Sequence, residues 1–355
     1  MTAEQSRPLT AEVSEELDHI PVYDVTIIGG GPVGLFGAFY AGIRQMHTKI
    51  VDSLPELGGQ LSALYPEKFI YDMPGFPKVL AKDLVRDMAE QGLRFNPAVC
   101  LDEKVLHLQH EDDGTITVTT QKAVHRTKTM IVATGAGAFS PKKLATPGVT
   151  EFEGRGIHYF VRNKSQFEGK RLLIVGGGDS ALDWAMNLEE VGAKHITLIH
   201  RSDKFRAHEA SMDWLLNHSK VDVKMHYELA GVQGDDLVKR AIVFNNQTKE
   251  EICLDVDAVL LNIGFSADLG PIRDWGVELD GNSIPVNQFM ETNLQGVYAA
   301  GDIATYPGKL KLIATGVGDI CIAVNYAKTR IDPNAKAFPG HSSNLELPNT
   351  KPVAE

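Results

Sequence analysis

Cysteine is scarce in this chain: Cys100, Cys253 and Cys321 are the only three in 355 residues, and they are widely scattered. No C-x-x-C occurs, which excludes a disulfide scaffold and a cysteine-based zinc knuckle and suits a reducing, cytoplasmic setting. Positive charge is also in short supply. Thirty-five Lys and Arg face 46 Asp and Glu, a formal net charge of −11, which argues against nucleic acid as the main partner. No run approaches the ~18 apolar residues needed to span a bilayer, so no membrane segment is expected. Residues 1–20 carry Glu12, Glu15, Glu16 and Asp18 and lack an apolar core. They read as a mobile lead-in rather than a signal peptide. What remains, 43% hydrophobic and 23% charged, is long enough for two ordinary domains.

Glycine, by contrast, is concentrated where it is informative. Gly29-Gly30-Gly31-Pro32-Val33-Gly34 follows the apolar run Val25–Ile28, and Gly176-Gly177-Gly178-Asp179-Ser180-Ala181 follows Leu172–Val175. Each reads as a buried parallel strand, a tight turn, and a helix whose first N–H groups face an anion. Two copies imply two dinucleotides held at once, hence electron transfer between a flavin and a nicotinamide.

The rest of the chain arranges itself around these two units. A helix near Gly34–Gln45 leads to a strand His47–Val51 and Asp52, and the Gly/Pro-rich stretch Gly58–Pro77 reads as a ligand-wrapping loop. Lys104–His110 and Thr115–Thr120, split by Asp112-Asp113-Gly114, read as a β-hairpin, and Met130–Val132 as a short strand before Ala133-Thr134-Gly135. The second unit continues with a helix from about Ser180 to Val191, a strand His195–His200, a β-rich section Val221–Asp257, and Ala258–Ile263. After Gly264, Val297–Asp302 and a helix around Gly316–Thr329 return to the first pattern. The expected architecture is α/β: two Rossmann-like, three-layer (ββα) dinucleotide-binding domains, one inserted in the other. The outer domain comprises 21–138 and 264–331, the inserted one 139–263, and a Pro- and Asn-rich tail covers 332–355.

The two nucleotide sites are not equivalent. At the first, Gly29, Gly31, Val33 and Gly34 form the turn, and Asp52 stands where a carboxylate binds both ribose hydroxyls and repels a 2′-phosphate; this fits FAD or NAD. At the second, Gly176, Gly178 and Ser180 form the turn, and His200-Arg201-Ser202-Asp203-Lys204-Phe205-Arg206 replaces the acid with cations. Arg201 and Arg206 flanking a 2′-phosphate would favour NADPH over NADH by about a hundredfold to ten-thousandfold, with Asp203 partly offsetting them.

Over roughly residues 22–330 the chain resembles the thioredoxin-reductase-like flavoproteins. The resemblance rests on both fingerprints, Gly58-Gly59-Gln60, Ala133-Thr134-Gly135, His200-Arg201, Phe205-Arg206-Ala207 and Gly301-Asp302. One part of that pattern is missing. Where thioredoxin reductases carry their redox C-x-x-C, this chain has Phe160 and Asn163, so electrons must leave the flavin directly. In that respect it resembles the ferredoxin–NADP⁺ reductases of thioredoxin-reductase type. Leu61–Lys68, Tyr71–Pro77 and Phe338-Pro339-Gly340-His341-Ser342-Ser343 extend the likeness. The resemblance implies an FAD domain (21–138, 264–331), an NADPH domain (139–263) and a tail that covers the flavin across a homodimer. It implies that Tyr65 stacks on one flavin face and His341, or Phe338, on the other, with Ser343 nearby. Gln60, Val105 (through its backbone), Phe139 and Asp302 would be further FAD contacts. Ser202, where many relatives have a second arginine, weakens NADPH selectivity.

The implied activity passes a hydride between NADPH and FAD and single electrons between FAD and ferredoxin or flavodoxin, with no acid–base residue and no metal. A basic patch of Lys142, Lys143, Arg162, Lys164, Lys170 and Arg171 is a candidate docking surface for an acidic carrier. Other classes remain open: a disulfide reductase or diaphorase with another acceptor, a flavin monooxygenase (whose usual histidine-containing run the Glu153–Phe167 stretch does not fit), and a non-enzymatic NADPH sensor.

Overall fold

A computed structural model of the chain describes residues 19–341, apart from the side chains at 138–140, 210 and 265–267. It forms two compact units, Met1–Ala138 with Ala267–Glu355, and Phe139–Ser266.

The first unit is built on a seven-stranded sheet. Val22–Ile28 lies between Thr48–Val51 and Val124–Val132, parallel to both, and Ala98–Cys100 extends the parallel edge. Alternation along these strands separates two cores, because successive side chains point to opposite faces. Val25, Ile27, Ile50 and Ile131 pack on the helices Pro32–Ile43, Ala81–Gly92 and Ile313–Ile331. Ile28, Val51, Met130 and Val132 pack on the opposite face with Ile116, Val118 and Trp275.

The expected hairpin forms from Val105–His110 and Ile116–Thr120, and Asp113 accepts from the Thr115 N–H at 2.9 Å in its turn. The strand before Thr134 is longer than expected. Its first half pairs with Ile116–Thr120 and its last three residues with Val297–Ala299. The polar residues that hid it are satisfied internally: Thr127 and Thr129 donate to the carbonyls of Tyr23 and Asp24 at 3.2 and 2.7 Å.

On this sheet lies a buried polar chain. Lys49 Nζ meets His125 Nδ1 at 2.9 Å, His125 Nε2 meets Glu103 at 2.7 Å, and the Thr120 hydroxyl donates to Glu103 at 2.7 Å. Cys100, Glu103 and His125 together have the ligand types of a metal site. The ammonium of Lys49 already supplies the cation that balances Glu103, so the group is charge-compensated as it stands.

The second unit repeats the parallel core: Ile157–His158, Ala258–Asn262, Arg171–Gly176, His195–His200 and Asp222–Met225, in that order. Leu172 and Ile174 pack on the helix Asp179–Glu190 through Ala181, Leu182 and Ala185. Leu173 and Val175 face the antiparallel ribbon Tyr227–Gly234, Val238–Asn245 and Glu251–Asp255 through Leu229, Val232 and Ala241. Helix, parallel sheet and ribbon are the three layers expected. Strands buried on both faces explain why the sequence shows apolar runs there rather than alternation. The two α/β units are Rossmann-like, as read from the fingerprints.

Candidate dinucleotide sites

Both fingerprints adopt the same local solution. A Cβ on Gly29 (φ +113°) would lie 2.4 Å from the carbonyl oxygen of Ala133; a Cβ on Gly176 (φ +157°) would lie 2.4 Å from that of Asn262. Only glycine lets the turn press this closely against the next strand. At or just beyond the ends of those strands two buried polar atoms, Thr134 Oγ1 and Asn262 Oδ1, have no hydrogen-bond partner among the described residues. Such atoms at the carboxyl ends of parallel strands, beside helix N-termini that offer free N–H groups, match what a bound dinucleotide would satisfy.

In the first unit the expected flavin residues converge. Gly31 and Gly59 approach until a Cβ on Gly59 would meet Gly31 Cα at 2.9 Å, and Gly58 N–H donates to the Gly30 carbonyl at 2.8 Å. Gln60 opens a short helix, Gln60–Leu64, and its amide stands 3.0 Å from the Cβ position of Gly135. Val33 packs at one point with Gly301 and Gly316, whose Cβ positions lie 3.2 and 2.6 Å from it. Tyr65 is half-buried; burial, then the charges of Asp302 and Asp72, push its hydroxyl upward, so it stays protonated.

Asp52 is 7% exposed and already engaged. Its two oxygens accept from Gly30 N–H at 2.5 Å and Leu54 N–H at 2.8 Å. Burial pushes its carboxyl up, and backbone donors from Leu54, Gly30 and Ser53 draw it back. The carboxylate therefore braces the glycine turn, leaving only its remaining lone pairs for a ribose.

Asp302 makes no hydrogen bond through its carboxylate among the described residues. Its carboxyl is raised by burial and lowered by Lys309 and Lys311. Val105 places its side chain in the core with Val51 and Met130. Its backbone lies two residues beyond Glu103, whose N–H donates to the Asp52 carbonyl at 2.8 Å.

Other expected residues are not brought to this cluster. His341 is exposed and meets Phe338 edge-on, ring centroids 5.4 Å apart. Upstream of it, Arg44 donates to the Lys336 carbonyl at 2.7 Å. No contact among the described residues links His341 to Tyr65. Ser343 and the side chain of Phe139 lie outside the described residues.

In the second unit, Gly178 caps the helix that Asp179 and the exposed Ser180 begin. A Cβ on Gly177 would lie 2.1 Å from the His200 ring, and that ring stacks on Phe205 at 5.2 Å. Arg206 N–H donates to the Gly177 carbonyl at 2.6 Å, fixing Arg206 beside the turn, and Asn246 holds the Arg201 carbonyl at 2.8 Å. Both arginines are exposed, and neither guanidinium has an ion-pair partner among the described residues. Asp179, an acid where a phosphate would sit, is turned aside to accept from His208 N–H at 2.8 Å.

Sequence reasoning gave no role to Asn262 or Asp179. Asn262 was legible from its place just before Ile263-Gly264, the counterpart of Ala133-Thr134-Gly135. Of the basic patch, Lys143 is neutralised by Glu153 at 2.8 Å and Arg171 by Asp257 at 2.8 Å. Asn163 caps the turn Lys164–Phe167, its side-chain oxygen accepting from the Ser165 N–H at 3.0 Å. The three free thiols sit on separate elements: Cys100 on Ala98–Cys100, Cys253 on Glu251–Asp255, and Cys321 on Ile313–Ile331. Among the described residues no helix is long and apolar enough to cross a membrane.

Known proteins resemble this chain in sequence and in fold. The chain is 53% identical over 327 residues to the ferredoxin–NADP reductase of Geobacillus thermodenitrificans, covering 91% of this chain and 97% of that protein. Its structure is similar to the thioredoxin reductases of T. acidophilum (TM-score 0.74, 26% identity, 87% and 98% covered) and Lactococcus lactis (0.72, 27%, 86% and 97%). The family described as pyridine nucleotide-disulphide oxidoreductase matches residues 23–319. With two glycine turns of one geometry inside that span, the chain belongs to the pyridine nucleotide-disulphide oxidoreductase family.

Proposed function

We propose that this chain is a ferredoxin–NADP⁺ reductase that moves electrons between NADPH and a small carrier, ferredoxin or flavodoxin, through FAD. The carrying observation is the pairing of two dinucleotide turns with three thiols on three separate elements. The family's usual cysteine pair is absent from the sequence, so no sulfur relay stands between nicotinamide and acceptor. FAD, when bound, supplies the conversion between two-electron hydride chemistry and one-electron transfer.

The chain's own residues bind and orient. Gly29, Gly31, Val33 and Gly34 offer the pyrophosphate a helix N-terminus; Asp52 and the Val105 backbone hold the adenosine end. Gln60, Asp302 and Phe139 fix the flavin half, and Tyr65 lies against the ring. In the inserted domain Gly176, Gly178 and Ser180 take the NADPH pyrophosphate, and Arg201 and Arg206 its 2′-phosphate. His341 or Phe338, with Ser343, would cover the second flavin face from the other copy of a homodimer. Exposure of Phe338, at 63%, supports that role. No residue needs to give or take a proton. Unpaired thiols favour a cytoplasmic location.

Cytochrome c reduction by NADPH, with and without added ferredoxin, and with NADH as control, tests the reading. A yellow protein whose rate rises with ferredoxin and prefers NADPH is expected. A colourless protein, or turnover that stops when the three cysteines are replaced by serine, overturns it.

A further inference from the structure

Behind the Gly301–Asp302 turn lies a buried ionic group that the proposed function does not use. Asp319, on the helix Ile313–Ile331, is 3% exposed, and the Lys309 side chain is 4% exposed. One Asp319 oxygen accepts from the Gly301 N–H at 3.1 Å and from the Lys309 ammonium. The other accepts from the Tyr306 hydroxyl at 2.8 Å. Burial and this bond push the Tyr306 hydroxyl up to about 12, so it remains a donor.

Stability alone does not call for such a group, since well-packed apolar residues serve as well or better in place of a buried ion pair. Its geometry points outward, to the turn. Gly301 (φ +78°) is confined sideways, because a Cβ there would meet Val33 at 3.2 Å and one on Gly316 would meet the Gly301 Cα at 3.1 Å. Along the remaining direction its N–H is held by Asp319. The neighbouring Asp302 carboxylate makes no hydrogen bond among the described residues and feels Lys309, Lys311 and Asp319 through space.

We propose that Asp319, clamped by Lys309 and Tyr306, is a positioning residue for the flavin: it anchors the turn that presents Asp302 and keeps Lys309 from pairing with Asp302. The inference rests on the FAD reading above. Neutralising Asp319 leaves Lys309 without its partner, free to draw Asp302 away from the ligand, and makes the local field more positive. Removing Lys309 makes the field more negative. A positive field favours the reduced, more negatively charged flavin, so the two changes move the flavin potential in opposite directions.

The test uses the full chain. Flavin is removed and FAD titrated back by fluorescence quenching, and the midpoint potential of the bound flavin is measured spectroelectrochemically. Asp319→Asn is expected to raise the FAD Kd by about tenfold to a hundredfold and to shift the potential upward. Lys309→Met is expected to shift it downward, and Asp319→Glu to restore it. Tyr306→Phe, which keeps the ring, should weaken FAD binding in the same direction as Asp319→Asn and carries the test if that variant fails to fold. An unchanged FAD Kd and potential in these variants, or potential shifts of one sign in both charge variants, overturns the proposal. A wild-type chain that takes up no FAD fails at the first titration, a result that removes the flavin reading itself.

Discussion

Glu103 shows how a single buried acid can be tested at the residue scale. Burial raises its carboxyl, but hydrogen bonds from Thr120 and His125 and the charges of His125 and Lys122 outweigh burial and hold it below the ordinary range. Its contribution to stability is therefore complete above the unfolded glutamate value of about 4.3 and is lost as pH falls through the lower folded value. Glu103→Gln, which strands Lys49 and His125, should cost about 3 kcal/mol at neutral pH. Its melting point should then converge on the wild type as the pH falls below about 4.

The cysteines give a second residue-scale test. Burial pushes the Cys321 thiol up to about 11 and also raises Cys100, whereas Cys253 is exposed. Maleimide should modify Cys253 first, with no loss of NADPH-dependent dye reduction. Loss of turnover in step with that modification would implicate sulfur in the electron path. Asp52 marks the limit of reading at this scale: its place at a strand end was visible, but its capture by the Gly30 N–H was not, because that depends on how far a short side chain reaches.

At the scale of elements, the turn after His195–His200 is where the proposed function puts the nucleotide choice. Arg201 and Arg206 are exposed without ion-pair partners among the described residues, and the backbone at 206 is tied to Gly177. Replacing both by alanine should raise the NADPH KM by about tenfold or more and leave the NADH KM nearly unchanged; equal rises for both would assign the arginines another role. Strands flanking glycine turns were legible, because a run such as Leu172–Val175 has one physical interpretation when a G-x-G-x-x-G follows. The helices Ala81–Gly92 and Glu209–Asn217 were not read. In the first, Ala81, Leu84, Val85 and Met88 are buried at helical spacing, a signal overshadowed by the Gly/Pro-rich stretch before it. Val124–Val132 was read only at its apolar end, since its threonines are buried by bonds to a strand that lies far away in the sequence. Asp319 was invisible for the same reason: nothing within a helical run announces which distant turn it serves.

At the scale of the whole molecule, each unit owns its cores. Ile27 and Val132 belong to clusters drawn wholly from the first unit, Leu173 and Leu172 to clusters drawn wholly from the second. Calorimetry should accordingly resolve two transitions. Saturating FAD should raise one of them and NADP⁺ the other, each by the logarithm of ligand excess over Kd. A single transition raised equally by both ligands would mean that the units melt as one.

The double-sided burial of Arg171–Gly176 also bears on how the protein can change over generations. Swapping one aliphatic side chain for another there trades a little volume. Deleting or adding one residue would instead turn every side chain beyond it from the helix layer toward the ribbon layer and carry the glycine turn out of line with Asn262. Chain-length variation should therefore survive in surface turns such as the one around the exposed Asp235 and Asp236, and be purged from the short strands that align the glycine turns.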